Sequence, residues 1–243
     1  MYLDAEAPPT KAAHYNAILT VAPEPDLLDE LPDPISWQTF LADMEARLSA
    51  FDHAWVGEIG LDKDRRFAVH RGTKQQRLTN VKVSMAHQQA VLRAQMQLAC
   101  RHRRPMSLHG VQCHGTLFDT VRNVARNEQA SGAGKGMVHF CLHSFSGSAQ
   151  MVQRWLAEPC LKDAVYFSFS LAVNERYTWW SEVVQAVPDD RLLIESDLHI
   201  AGPRMEKALQ DVLAALATMK NWSLPTTQER LCRNWLRFLT PCV

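Results

Sequence analysis

The chain has 243 residues, of which 47% are apolar, and this is enough to bury one sizeable hydrophobic core. Lysine plus arginine equals aspartate plus glutamate at 26 each, so the formal net charge is zero. This balance excludes a protein whose overall field attracts nucleic acid, and any phosphate-binding surface must therefore be local.

The predicted elements begin with residues 1–34, which are rich in proline, aspartate and glutamate. That composition predicts an irregular N-terminal segment. From Ser36 to Phe51, apolar residues recur at helical spacing and predict a helix that faces the core. Strand and helix patterns then alternate. Strands are predicted near 54–59, 105–109, 137–143, 164–171 and 191–196, and helices near 85–103, 116–130, 148–158, 175–186, 203–219 and 227–239.

Alternating βα units imply a parallel sheet, because right-handed crossovers through helices usually join parallel neighbours. The predicted fold class is α/β, a TIM-barrel-like (β/α) fold that is incomplete, since five βα units are recognisable where a closed barrel has eight. Residues 35–243 are assigned to this domain.

The cysteines and the N-terminal sequence indicate the cellular compartment in which the protein is expected. Six cysteines form no C-x-x-C pair, and several lie in apolar runs, as buried free thiols do. The N-terminus has no secretory signal pattern, and no run approaches the ~18 apolar residues of a membrane span. We therefore expect a reduced, soluble protein of the cytoplasm or nucleus that does not contact membranes.

Four ionisable residues each close an apolar run: Glu58 in AWVGEIGLD, His109 in PMSLHG, His143 in CLHSFSGS and Asp197 in RLLIESDLH. A single such ending usually only meets solvent. The carboxyl ends of parallel strands share one face, however, so four endings in successive βα units are expected to lie together. Two imidazoles and two carboxylates are ligands suited to a divalent metal ion.

These motifs resemble those of the TatD-type metal-dependent deoxyribonucleases, members of the metal-dependent hydrolase superfamily. The resemblance lies in EIGLD at 58–62, HSFSGS at 143–148 and LLIESD at 192–197. Gln88 and Gln95 in a glutamine-rich helix, and Asn234 near the C-terminus, also match. The longer phrases GEIGLDK and HSFSGSA resemble a fungal-type branch, and the similarity covers about residues 55–240.

Two motifs of that family have no counterpart here, namely the His-x-His of its first strand and the Gly-x-His-Pro of its third. His14 and His53 are the only histidines before Glu58, and neither has a second histidine two residues away. We therefore expect that the chain lacks the N-terminal His-x-His portion of the family. An open wedge of five strands would expose sheet edges and apolar lining.

The resemblance implies a site and a reaction. Glu58 would bridge two divalent ions, His109 and His143 would complete the ligands of one, and Asp197 would bind the other and orient the attacking water. Asp197 and Glu58 are thus the implied catalytic residues, and one or two ions of Mg²⁺, Mn²⁺ or Zn²⁺ are the implied cofactor. The implied reaction is hydrolysis of phosphodiester bonds in DNA, impaired because the His-x-His ligands are missing.

Further residues are predicted to support the ligands or to contact substrate. Asp62 either hydrogen-bonds a ligand histidine or only caps a turn. The basic residues after it either bind phosphate or are merely solvated, and two histidines lie on loops after ligand-bearing strands. These candidates are Lys63, Arg65, Arg66, His114 and His199.

Two other functions stay open. A catalytically inactive relative would persist as a scaffold that binds a protein partner, with the open barrel as the contact. An amidohydrolase-like enzyme would act on a small molecule, because this type of barrel supports many chemistries through its loops and the fold does not fix the substrate.

Overall fold

The computed structural model describes residues 10–71, 75–130 and 137–240. The strands are β1 (Val56–Asp62), β2 (Ala68–Arg71), β3 (Gln75–Leu78), β4 (Met106–Val111), β5 (Phe140–Leu142), β6 (Val165–Phe169) and β7 (Leu192–Ile194). The helices are α1 (Lys11–Ile18), α2 (Pro25–Glu30), α3 (Trp37–Ala50), α4 (Met85–His102), α5 (His114–Ala130), α6 (Ala149–Ala157), α7 (Leu171–Asn174), α8 (Trp180–Ala186), α9 (Pro203–Lys220) and α10 (Leu224–Leu239), with a 3-10 turn at Asp189–Arg191.

The central sheet has five strands in the order β1-β4-β5-β6-β7, and each pair of neighbours is parallel. Helices connect successive strands of this sheet along the chain, as right-handed crossovers require. The predicted α/β, TIM-barrel-like architecture with five βα units is therefore confirmed over the described residues.

Side chains alternate between the two faces of the sheet, because successive residues of a strand point in opposite directions. One face packs against the helices and forms the main core, to which Phe140, Phe167 and Phe169 contribute fully buried rings. The opposite, concave face carries Cys141, Tyr166 and Leu193, which belong to a separate cluster.

The concave face is covered by the last helix. Phe238 of α10 is fully buried, and its ring centroid lies 5.4 Å from that of Tyr166 and 5.7 Å from that of Trp55. Cys141, Tyr166 and Leu193 are buried as a result. The expectation of an exposed apolar lining is thus wrong for these residues, because α10 packs where an open wedge would expose them.

The structure also differs from the prediction that residues 1–34 are irregular. Within the described part, residues 10–34, helix α1 is capped by Thr10, and Pro25 opens α2, where its fixed φ suits the first helical turn. Tyr15, Leu27 and Leu31 pack with Val69 and Val81 into a second apolar cluster. The prediction of an irregular segment is therefore wrong over residues 10–34. The domain boundary at residue 35 stays a prediction.

Two further elements differ from the prediction. Strands β2 and β3 form an antiparallel hairpin between β1 and α4, where no element was expected. The single helix predicted over 175–186 is instead the short α7 followed by α8, because the chain turns between Glu175 and Trp179.

Five of the six cysteines lie in the described residues, at 100, 113, 141, 160 and 232, and all five are free thiols. None of the described helices has both the length and the apolar character needed to cross a membrane.

Candidate functional site

The four residues that close apolar runs in the sequence lie together: Glu58 is in β1, His109 is in β4, and His143 and Asp197 follow the ends of β5 and β7. His109 Nδ1 lies 2.6 Å from Glu58 Oε1, and His143 Nε2 lies 3.5 Å from the same oxygen. His143 Nε2 is also 3.0 Å from Asp197 Oδ1. We call Glu58, His109, His143 and Asp197 the His/carboxylate centre.

The backbones of β1 and β4 approach each other closely beside this centre. Gly60 pairs with His109 across the β1–β4 ladder, and a Cβ at position 60 would clash with the His109 backbone carbonyl. Only glycine permits that approach without a shift of one strand. The glycine of the EIGLD motif therefore fixes the spacing between Glu58 and His109.

Unusual backbone conformations occur at the carboxyl edge of the sheet. Gln112, Ser144 and Asp197 have φ values of 52°, 39° and 56°, and each follows the end of a strand. Such left-handed conformations cost non-glycine residues of order 1–3 kcal/mol each and concentrate at functional sites. Two of the three lie at or next to members of the His/carboxylate centre.

Glu195 fixes the orientation of His143. Its Oε2 lies 2.5 Å from His143 Nδ1, while its Oε1 accepts hydrogen bonds from the backbone N–H and the hydroxyl of Ser144. The Ser144 hydroxyl in turn lies 2.8 Å from Ser170 Oγ. With Nδ1 held in this way, His143 presents Nε2 to Glu58 and Asp197. Such outer partners are known to orient ligand imidazoles.

The sequence did not single out Glu195. It follows the apolar run LLI and precedes Asp197 by two positions, so the sequence motif around Asp197 gives it no separate role. A signal was nevertheless present, since two carboxylates two residues apart at a strand end point to the same side when the chain stays extended.

Proton affinities at the centre follow from these contacts. Burial disfavours a charged His143, but Glu195, Glu58 and Asp197 outweigh burial and raise the pKa of this imidazole to about 9. The hydrogen bond between them raises the pKa of His109 and lowers that of Glu58. At neutral pH the His143 imidazole of the metal-free chain is therefore protonated, and a metal ion must displace that proton to bind.

The donor set fits a divalent ion by its chemistry. Two donors of one tetrahedral zinc ion stand roughly 3.4 Å apart, and His143 Nε2 has comparable distances to the oxygens of Glu58 and Asp197. The His109–Glu58 pair is a direct hydrogen bond and must open to admit an ion. Over the described ranges, no three His, Cys, Asp or Glu side chains already stand in metal-holding geometry.

Asp62 makes the turn contact considered from the sequence and lies near His109 without a hydrogen bond to it. Its Oδ2 lies 3.7 Å from His109 Nε2, and its Oδ1 accepts hydrogen bonds from the backbone N–H groups of Asp64 and Arg65. Gln88 fixes this strand end, because its side chain accepts from Asp62 N and donates to Asp62 O. Asp62 therefore connects the centre to the following turn.

The two other predicted histidines lie in different places. His199 lines a cavity of about 540 Å³ together with Glu58, His143 and Asp197. His114 begins α5, with its Nε2 3.4 Å from Ser146 Oγ, and burial lowers its pKa.

The basic candidates lie in the turn after β1. Lys63 is exposed, and its carbonyl oxygen accepts a hydrogen bond from Lys82 Nζ at 2.9 Å. Arg66 is also exposed and lines a second cavity with Asp62. The contacts place both residues beyond Asp62, outside the direct hydrogen-bond network of the centre.

Changing Glu195 to Gln should loosen the orientation of His143. The amide carries no charge, so we expect a lower pKa for His143 and a metal affinity reduced by roughly 10–100-fold, the usual effect of losing an outer partner. Ring ¹⁵N chemical shifts of His143 and competition with a chelator measure the two effects. Glu182→Gln, an exposed change on α8, is the control. Unchanged shifts in Glu195→Gln would contradict the role of Glu195.

The profile of the "TatD related DNase" family matches residues 10–240 of this chain. Over 253 residues the chain is 31% identical to "Cut9-interacting protein scn1" of Schizosaccharomyces pombe, an alignment that covers 94% of this chain and 75% of that protein. It is 28% identical over 245 residues to "Uncharacterized deoxyribonuclease YMR262W" of Saccharomyces cerevisiae, with the same two coverages, 94% and 75%.

Solved structures share the fold at lower identity. An uncharacterized amidohydrolase from Saccharomyces cerevisiae has a TM-score of 0.58 at 16% identity, over 83% of this chain and 70% of that one. A TatD family hydrolase from Entamoeba histolytica gives 0.61 at 16% identity, over 84% and 68%. YJJV, a TatD homologue from Escherichia coli, gives 0.58 at 21% identity, over 89% and 74%. With the family profile matching nearly the whole described chain, this protein belongs to the TatD-related DNase family of metal-dependent hydrolases.

Proposed function

We propose that this chain hydrolyses phosphodiester bonds of DNA, with one or two divalent ions held by Glu58, His109, His143 and Asp197. The observation that carries the proposal is the position of His143 Nε2, which faces the carboxylates of Glu58 and Asp197 while Glu195 engages Nδ1. Family membership supports a metal-dependent hydrolase. The DNA substrate and the roles of the individual residues belong to the proposal.

Each residue of the centre has a separate role in the proposed reaction. A divalent ion at such a centre supplies positive charge that stabilises the developing oxyanion and lowers the pKa of water. Asp197 orients the attacking water and accepts its proton, and Glu58 joins the two halves of the centre through its contacts with both imidazoles. Asp62 supports His109. The proposed substrate contacts are those of Lys63, Arg66, His114 and His199.

The proposed activity is weak. The sequence contains no His-x-His pair, so Glu58, His109 and His143 would hold one ion, and only the carboxylates of Glu58 and Asp197 would hold the other. Two-metal hydrolysis needs both ions for its full effect, because one activates the nucleophile and the other stabilises the leaving oxygen.

Cleavage of labelled single-stranded DNA with Mg²⁺ or Mn²⁺ tests the proposal. We expect slow cleavage that a chelator stops and that Asp197→Asn removes, because an amide is a poorer ligand and cannot accept the proton. Asparagine tolerates the positive φ of position 197, so the backbone is preserved. Asp29→Asn on α2 should cleave like the unaltered chain. Equal cleavage by Asp197→Asn, or cleavage insensitive to the chelator, would contradict the proposal.

A scaffold function is the second candidate. One similar protein is named as an interactor of another protein. In this chain Trp55 and Trp235 are 42% and 41% exposed, with ring centroids 5.4 Å apart, where the first strand meets the last helix. Half-exposed tryptophans are enriched at protein interfaces. No cleavage under any metal condition would favour this second function.

A further inference from the structure

The hairpin that the sequence did not reveal forms a second cavity beside the His/carboxylate centre. This hairpin cavity has a volume of about 850 Å³. It is lined by Asp62, Arg65, Arg66, Phe67, Ala68, Leu78, Val83 and Gln88. It therefore belongs to the loop between β1 and α4, on the side of the barrel where loops determine substrate choice.

Two positively charged side chains line the hairpin cavity. Arg65 and Arg66 are both exposed, and within the described ranges neither guanidinium makes a hydrogen bond or an ion pair. The nearby Lys82 is different, because its ammonium lies 3.6 Å from Asp64 Oδ1. Two guanidinium groups without such a partner among the described residues thus stand next to a centre that is rich in carboxylates. They supply the local phosphate attraction that the neutral chain lacks as a whole.

One wall of the same cavity is apolar. Phe67, Ala68, Leu78 and Val83 form it, and Leu78 is 61% exposed. A surface that joins available cations to an apolar or aromatic wall suits a nucleotide whose base is free to stack. A duplex hides the faces of its bases, so the combination favours a single strand.

Asp62 connects the hairpin cavity to the His/carboxylate centre. Its Oδ1 accepts from Arg65 N at 2.8 Å, while its Oδ2 lies 3.7 Å from His109 Nε2. Gln88 anchors the same strand end and also donates to Val83 O at 3.0 Å. The turn that bears the two arginines is therefore held next to the ligand histidine.

We propose that the hairpin cavity binds a nucleotide of single-stranded DNA adjacent to the phosphodiester at the His/carboxylate centre. Arg65 and Arg66 bind the phosphate of that nucleotide, and Phe67 with Leu78 contacts its base. The proposal rests on the proposed DNA hydrolysis and names the form of substrate that it uses.

Binding is measured separately from cleavage by fluorescence anisotropy in EDTA. The probe is a labelled oligothymidylate of about eight nucleotides, within the usual range of single-strand sites. Arg65→Ala/Arg66→Ala should weaken binding at least tenfold at low salt. The slope of log affinity against log salt should flatten by roughly 0.7 for each phosphate that the variant no longer neutralises. Arg101→Ala is the control, since position 101 lies ~20 Å along α4 from Gln88 and is exposed.

A second pair of measurements tests the base contact. Leu78→Ser should weaken binding of the oligothymidylate severalfold and leave an abasic oligomer of the same length unaffected. Because Leu78 is largely exposed, this change should not disturb folding. A duplex of the same length should bind at least tenfold more weakly than the single strand.

Each contrary result overturns the assignment. Binding by Arg65→Ala/Arg66→Ala that equals binding by Arg101→Ala would exclude the arginines, and tighter binding of the duplex would exclude the single strand. No measurable binding by the unaltered chain would exclude the cavity altogether. Absent cleavage by the unaltered chain with Mg²⁺ or Mn²⁺, together with intact binding in EDTA, would refute the hydrolysis and leave the hairpin cavity standing.

Discussion

A chain that carries both His109→Ala and His143→Ala is expected to retain no divalent metal after purification, whereas the unaltered chain retains about one ion. The reason is that a site needs several deprotonated ligands together, and this change removes both imidazoles and leaves only the carboxylates of Glu58 and Asp197. Elemental analysis after gel filtration measures the metal content per chain.

The control for this experiment is His53→Ala, which removes an exposed imidazole that precedes β1. Circular dichroism establishes that the double variant is folded before its metal content is compared. Equal metal in the double variant and the unaltered chain would mean that the ion is bound elsewhere, and the ligand assignment would then be wrong.

Phe238→Ala is expected to lower the free energy of unfolding by about 3–5 kcal/mol, the usual cost of removing a buried aromatic ring. Phe238 is fully buried against Tyr166 and Trp55 on the concave face. Its loss would also uncover Leu193, so we expect self-association in addition to the lower stability. Denaturant unfolding and light scattering measure the two effects.

Leu236→Ala is the matched control because it lies on the same helix but is 65% exposed. A change of this kind usually alters stability by less than about 0.5 kcal/mol. If Phe238→Ala unfolds at the same denaturant concentration as Leu236→Ala and stays monodisperse, α10 does not stabilise the concave face.

The central sheet could be predicted because its strands appear in the sequence as short apolar runs, and β5 and β6 are buried along their whole length. The run before His143 and the run before Glu195 are examples. The four members of the His/carboxylate centre could be predicted to meet for a related reason, since the carboxyl ends of parallel strands share one edge. Their individual hydrogen bonds depend on side-chain geometry, which the spacing of residues in the sequence does not predict.

The hairpin and the first two helices had no such signal in the sequence. The hairpin strands contain few apolar residues, and only one turn of the chain separates them from β1, so neither alternation nor length indicated them. Helices α1 and α2 were hidden by a composition rich in proline and acid, although packing of Tyr15 and Leu27 against the hairpin stabilises them. Tertiary contacts outweighed local preference in both cases.

The left-handed backbone at Asp197 also affects how this chain can change during evolution. Few residues tolerate that conformation well, and asparagine and glycine are among them. The substitutions that best preserve the fold at this position are therefore the same ones that remove the carboxylate. Under the role proposed for Asp197, a folded descendant without hydrolytic chemistry is thus a single substitution away, and selection for stability alone would not oppose that step.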